Sequence, residues 1–370
     1  MLVDCSGTDR IRAIFLAYYL EGSAVTAVLP RVPLPETRRR RAPALGLSAA
    51  TVLLFMALLG SVLIGGLEST LAEVWHALAT PDGSVADVAI RELRWPRTLN
   101  GLVVGACLGT AGCLTQAHTR NPIADPGLLG IYSGAALAIV TGALLGGAAG
   151  EAPGAQAILA FVGAVAASAL VFAVGSASRH GVTTVTLVLA GAAVTALAGG
   201  LVSVIVLSND AALDTLRFWQ LGSIAVRGGM IPGVLPFLIL GLLLAALNIG
   251  SLNALALGED TAASLGVDVR RSRTVGVAAV AVLAAVAVTL AGPIAFAGLL
   301  VPHLARWLVG LDYRWQLPCS AVLGAAVLLL ADTAGRVVAR PGELPVGVIL
   351  AVLGGPFFIH LARRRKVVSL

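Results

Sequence analysis

Few side chains in this 370-residue chain have the type and spacing for covalent or metal chemistry. Ser133 beside Gly134, with His303 as a distant base, would be the pair for an intramembrane hydrolase. Nothing in the sequence places a base or an orienting group beside that serine, so the reading is set aside. His303 and His360 end apolar runs without a Cys, His or carboxylate set at metal-ligand spacing, so no metal site is expected. Cys5, Cys107, Cys113 and Cys319 show no paired spacing and read as small buried thiols. Lys366 is the only lysine, and a phosphate-cradling P-loop needs a lysine after its glycines. The chain therefore has no ATP site of its own, and no catalytic residue is assigned. The chemistry that remains belongs to arginine. Arg94 and Arg97 flank Pro96, and Arg336 follows an apolar run containing Asp332. Guanidinium forks bind carboxylates bidentately, and Asp332 is placed to pair with an arginine such as Arg336 or to cap a helix. Simple snorkelling at an interface is the plainer account of these arginines.

The elements that must position these residues are membrane spans. The chain is 58% hydrophobic and 12% charged, with a mean hydropathy of +0.94. Soluble domains run at about 25% charged, which excludes a water-soluble enzyme of this size. Its charge of +6 suggests no nucleic-acid groove, because the basic residues sit at the edges of apolar runs without interleaved aromatics. Charge-free stretches cover 42–67, 98–117, 126–150, 152–178, 181–209, 228–258, 274–305, 315–331 and 344–362. The stretch 274–305 is too long for one helix and is broken at Gly292-Pro293, which gives ten spans. These runs lack the alternation of barrel strands, so the fold expected is an all-α integral membrane protein of ten transmembrane helices. With residues 1–41 inside, eighteen of the 25 basic residues are cytoplasmic, and both termini are expected there. Residues 1–43 form an expected cytoplasmic N-terminal extension, and 44–366 the ten-helix domain.

Two segments repeat. Asn121-Pro-Ile-Ala-Asp-Pro-Gly-Leu-Leu129 and Gly292-Pro-Ile-Ala-Phe-Ala-Gly-Leu-Leu300 share Pro, Ile, Ala, Gly, Leu and Leu in register. They lie five spans apart, an odd number, so they face opposite sides of the membrane. An inverted internal repeat of spans 1–5 against spans 6–10 is the expectation, as in many transporters. Chance likeness between two Pro/Gly-rich breaks is the plainer account. The charged loop 251–273 carries Leu257, Ala262 and Leu265 at helical spacing, with Glu259 and Asp260 near the start and Gly266 as a stop.

At this point the sequence resembles a family: the permeases of type II ABC importers, which move ferric siderophores, haem and cobalamin into bacteria. The residues that carry the likeness are Arg94-Trp-Pro-Arg97, Gly105 to Gln116, Asn121 to Gly127, Leu257 to Arg271, Ala291 to His303, Leu330 to Arg336 and Glu343 to Gly347. It covers about residues 48 to 366. The resemblance implies ten helices per subunit, two subunits around a dimeric pore, two cytoplasmic ATPases that hold ATP-Mg, and an extracytoplasmic binding protein. It implies that Arg94, Arg97 and Arg336 dock carboxylates on the lobes of that binding protein. Loop 251–273 becomes the coupling segment to the ATPase, with Gly258, Glu259, Ala262, Leu265 and Gly266 as the contact face. Asn121 and Ile123, with Thr183 and Thr184, match positions that narrow the cytoplasmic exit, although such polar residues also cap helices.

The function this implies is import of an iron(III)-siderophore complex across the cytoplasmic membrane, with haem or cobalamin as alternative cargo. No cofactor is expected on this chain. A secondary carrier is the rival class, and it would call for mid-span acids that the spans lack.

Overall fold

The computed structural model describes residues 43–65, 69–177, 183–225 and 230–363, and among them every regular element is helical. Apart from Pro43, the expected N-terminal extension lies outside the described residues. In chain order the helices are α1 (Pro43–Leu63), α2 (Leu71–Ala79), α3 (Val85–Thr119), α4 (Ile131–Glu151), α5 (Pro153–Ser176), α6 (Thr184–Ser208) and α7 (Asp210–Gln220). They continue with α8 (Ile231–Leu255), α9 (Glu259–Ser264), α10 (Val269–Ala291), α11 (Ala297–Val309), α12 (Tyr313–Val338) and α13 (Val346–Arg363).

Seven of these are long and apolar enough to cross a membrane: α1, α3, α5, α6, α8, α10 and α12. Three shorter apolar helices, Ile131–Gly147, Ala297–Val309 and Val346–Ile359, fall in the remaining expected spans. The departure is clearest at α11. Its 13 residues reach about 20 Å at 1.5 Å per residue, short of a hydrocarbon core about 30 Å thick. The segment after the Gly292 break is thus a half-length helix.

The centre of the molecule is α3, α10 and α12, and small residues explain why. Gly101, Gly105 and Gly109 fall on one face of α3 at four-residue spacing, against Ser320 and Gly324 of α12. Gly105 meets the backbone of Gly324 and Ala325, and Gly109 meets that of Ser320, so the two helices run antiparallel with their backbones in contact. Such close approach is the usual basis of helix association in lipid, where no hydrophobic drive separates protein from solvent. The helix α10 is antiparallel to α3 as well: Asn100 bonds Leu290 at one end, and His118 meets Gly276 at the other. The spans of α3 are 78% buried, whereas those of α8 are 22% buried, which makes α8 a lipid-facing helix of the periphery.

Helix ends are fixed by side-chain caps. Thr183 accepts from Thr186 N (3.1 Å) to start α6, Asp268 from Arg271 N (2.9 Å) to start α10, and Asp312 from Arg314 N (2.9 Å) to start α12. Cys107, Cys113 and Cys319 are free buried thiols, as their spacing suggests.

Candidate functional site

Two interruptions of helix meet inside the molecule. The helix α10 stops at Gly292, whose φ of 72° a side chain would resist, and the chain runs to Phe296, also at positive φ, before α11 begins. Because α10 ends beside Asn100 while Gly298 lies against Gly112, this segment retraces about 18 Å of α3, twelve residues of helical rise. The second interruption follows Arg120, which is left-handed. Asn121 Oδ1 accepts from Ile123 N (3.1 Å), and Asp125 Oδ1 accepts from Gly127 N (2.8 Å) to start a 3₁₀ turn at Pro126–Leu129. Pro126 packs on Gly298, so the two repeated motifs are in contact.

Backbone without helix at this depth needs partners from protein or water. Just past the break, in the first turn of α11, Pro302 leaves Gly298 O without a helical donor, and Gln116 Nε2 of α3 donates there (3.4 Å) and to Leu299 O (3.2 Å). Its Oε1 in turn accepts from Arg306 Nη2 (2.6 Å). Tyr132 at the start of α4 donates to Ile294 O (3.2 Å), tying one interruption to the other. Sequence reading overlooks Gln116, Arg306 and Tyr132 as a unit. The available signal is a glutamine and an arginine within otherwise apolar helices.

The expected gate residues divide. Thr184 Oγ1 lies 3.4 Å from His118 O, which brings the start of α6 to the end of α3. Thr183 spends its hydroxyl on the helix cap, and Asn121 spends its amide oxygen on its own turn. Ile123 is exposed beside that turn. Ser133 Oγ donates to Gly130 O (2.9 Å) with Thr195 as its other partner, an ordinary helix-start hydroxyl rather than a nucleophile.

The three expected docking arginines do converge, at the end of the bundle where α1 stops, but not as an exposed rim. Arg97 grips Asp332 with Nε (3.0 Å) and Nη2 (2.8 Å) and donates Nη1 to Glu343 (2.6 Å). Arg336 Nε lies 3.1 Å from Asp332 Oδ2, and its Nη1 donates to Ser61 O (3.0 Å) and Ile64 O (2.7 Å). Arg94 Nη1 donates to Val62 O (3.0 Å), Leu63 O (3.2 Å) and Ser69 Oγ (2.9 Å). The last carbonyls of α1, which no intrahelical donor can reach, are thus covered by guanidinium groups. Asp332 is 0% exposed, the Arg97 side chain 11% and the Glu343 side chain 49%. The outermost charge of the cluster is a carboxylate, Glu343. Asp332 pairs with Arg336 as expected, and with Arg97 besides.

The loop after α8 places α9 between Gly258 (φ 117°) and Gly266 (φ 82°). Leu257 and Leu265 are 66% and 64% exposed, an unusual placement for two leucines. Ala262, one of the five residues of the implied contact face, is 0% exposed and packs inward. A six-residue helix completes fewer than two turns, and its inward face follows from closure by Val267 N→Ala262 O (3.0 Å) rather than from periodicity. Glu259 is held by Arg273 (2.8 Å). The flanks of this loop are clamped to the core. Arg120 Nη2 donates to Leu255 O (2.9 Å), Asn248 bridges His118 (2.9 Å) and Ser272 O (3.0 Å), and Asn253 Nδ2 donates to Asp312 (2.8 Å). The exposed leucines are therefore connected by short polar links to the interruption that begins at Arg120.

Among the described residues, His76, Asp82 and Asp87 bring ligand-type atoms within 4.8 Å of one another, at α2 and the start of α3. No arrangement of nucleophile, base and oxyanion donors accompanies the helix interruptions.

A multi-pass all-helical protein, with interrupted helices meeting at its centre and a clamped loop presenting leucines, is built as a membrane permease. The FecCD transport family model matches residues 52–364, and the chain belongs to that family. It is 43% identical to the ferric enterobactin transport system permease protein FepD of Escherichia coli (strain K12), over 87% of this chain and 96% of that protein. It is 39% identical to the iron(3+)-hydroxamate import system permease protein FhuB of Bacillus subtilis (strain 168), over 89% of this chain and 86% of that one. Among solved structures it resembles a metal-chelate type ABC transporter in an inward-facing conformation, with TM-score 0.70 and 27% identity, covering 85% of this chain and 98% of that one.

Proposed function

We propose that the chain is the translocating subunit of an ATP-driven importer in the cytoplasmic membrane, carrying an iron(III)-siderophore complex from an extracytoplasmic binding protein into the cytoplasm. The observation that carries this is near full-length identity of 43% with a ferric enterobactin permease, supported by 39% with a ferric hydroxamate permease. ATP is hydrolysed by partner ATPases, since the sole lysine, Lys366, sits outside any phosphate-binding loop. A second permease subunit completes the pore. The cargo arrives as a finished chelate, so this chain supplies no iron ligand and holds no cofactor. Both termini are cytoplasmic in this reading, and the arginine cluster then faces outward.

Docking uses Arg94, Arg97 and Arg336 in an indirect way. Arg97 Nη1 is held at the surface by Glu343, and a carboxylate on the binding protein exchanges with Glu343 for that edge of the guanidinium. Arg94 and Arg336 keep the ends of α1, α3 and α12 in place beneath it. At the opposite end, Leu257, Leu265 and the two glycines, Gly258 and Gly266, seat in a groove of the ATPase, while Glu259 orients the turn through Arg273. Movement of that turn reaches the interruption at Arg120 and Asn121, and with it Ile123, Thr183 and Thr184 at the exit. ATP drives import only through its different affinity for the outward and inward states, as any population shift requires.

The test is uptake of radio-iron from ferric siderophores, with labelled haem and cobalamin in parallel, in a strain lacking this chain and restored with wild type or Leu265→Arg. Loss of siderophore-iron uptake alone supports the cargo, and loss of haem or cobalamin uptake instead reassigns it. Leu265→Arg is expected to reduce uptake at least about ten-fold while the subunit still reaches the membrane, since burying an unpaired arginine in an apolar groove opposes assembly. Normal uptake by that variant would remove Leu265 from the ATPase contact.

A further inference from the structure

A cavity of about 530 Å³ lies where α5 and α8 begin, α7 ends and α10 stops. Its wall includes Ala291 and Gly292, where the first interruption begins, and the transport reading gives the cavity no role. Its inner wall holds Asn100, which is 3% exposed. Asn100 Nδ2 donates to Ile224 O (3.1 Å) and Leu290 O (3.3 Å), which fixes the amide orientation, because the reverse would set oxygen against two carbonyls. Its Oδ1 is buried and has no hydrogen-bond partner in the protein. A buried acceptor left unmet is unfavourable by itself, so the cavity calls for a donor.

The lining also includes Gln156, Thr215, Trp219 and Ser223, and two further groups in it act as acceptors, Thr289 and Asp214. Thr289 commits its proton to Ala285 O (2.7 Å), so only its oxygen lone pairs remain. Asp214 brings a carboxylate to the rim, and Arg217 stands 3.3 Å from it with both side chains about two-thirds exposed. The cavity therefore has free acceptors at Asn100 and Thr289 and a carboxylate, Asp214, in its lining, with the Arg217 guanidinium just outside it beside that carboxylate. That is the charge complement of a zwitterion whose ammonium end enters and whose phosphate end stays at the rim. The cavity is lined by the first turns of α5 and α8, and further along these helices touch each other through Phe161 and Phe237 and carry exposed apolar side chains such as Ile158 and Leu235.

We infer that this cavity binds the primary-amine headgroup of a zwitterionic phospholipid, with its ammonium on Asn100 Oδ1 and Asp214, its phosphate at Arg217 and its acyl chains along α5 and α8. The occupant fills the space between α7 and the end of α10. Ser223 N, bonded to Ala291 O (2.8 Å), forms the floor that joins these elements.

The experiment uses the purified full chain in nanodiscs made from phosphatidylethanolamine, its N-methyl and N,N-dimethyl derivatives, or phosphatidylcholine, each mixed with the same anionic lipid. Headgroup charge is constant across the series while N–H donors fall to none. Lipid retained on transfer to detergent is read by native mass spectrometry. Retention is expected to fall by about ten-fold from phosphatidylethanolamine to phosphatidylcholine, the value of one charge-assisted hydrogen bond. Ala157→Trp, which fills the cavity from α5, is expected to abolish the preference, and Ala211→Trp does the same from α7 should the first variant fail to fold. Equal retention of the four lipids overturns the proposal. So does a preference that survives both tryptophan variants, or displacement by free ethanolamine with no lipid retained, which would identify a soluble amine as the occupant.

Discussion

Asp332→Asn is expected to destabilise the permease by about 3–5 kcal/mol, the usual effect of removing one partner from a buried ion pair. The carboxylate is wholly buried and faces two guanidinium groups, Arg97 and Arg336. Asparagine keeps the shape but loses the charge and presents an amide donor where two donors already point. Arg97 retains Glu343, which is half exposed and a weaker counterion because water screens it. Arg336 retains the carbonyls of Ser61 and Ile64 but no full negative charge within reach. Thermal unfolding of the purified subunit in detergent measures the effect, and Asp332→Asn combined with Arg336→Met is expected to recover part of the loss. A single variant within 1 kcal/mol of wild type would mean that water solvates the cluster more fully than its burial indicates.

The second large effect separates two glycines that sequence alone treats alike. Gly109→Ala sets a methyl group onto the backbone carbonyl of Ser320, where no side chain can turn aside, so α3 and α12 must part. Overpacking of this kind opposes folding by about 1–3 kcal/mol, and a backbone neighbour puts it at the upper end of that range. Separation at this point also loosens Gly105 against Gly324 and the packing around Gly101. Gly199→Ala on α6 meets open space, and by helix propensity it is expected to stabilise by up to about 1 kcal/mol. Unfolding midpoints of the two variants should move in opposite directions. Equal shifts would mean that the α3–α12 contact relaxes without loss.

How much of this was legible in the residues depends on the range of the interaction that decides each feature. The spans and the stop at Gly292-Pro293 follow from local composition, because an apolar run and a Gly-Pro break act within a few residues. The half-length of α11 does not, since its start is held by Gln116, far away in the chain, through Gly298 O and Leu299 O. The amphipathic α7 falls between the charge-free stretches because of its own charges, although Ala212 and Leu216 are buried at helical spacing. At the sites, the arginines were found by type and position, but their burial is decided by Asp332, Glu343 and the carbonyls of α1. Ala262 packs inward while Leu257 and Leu265 stay exposed, because a helix of fewer than two turns has too little periodicity to fix one face.

The cluster around Asp332 also limits the order in which related sequences can change. Two arginines share one buried acid, so loss of Asp332 first passes through a damaged intermediate, whereas loss of Arg336 first leaves Asp332 still paired with Arg97. Substitutions here should be inherited as linked sets, in which an uncharged residue at 332 is accompanied by an uncharged residue at 97 or 336.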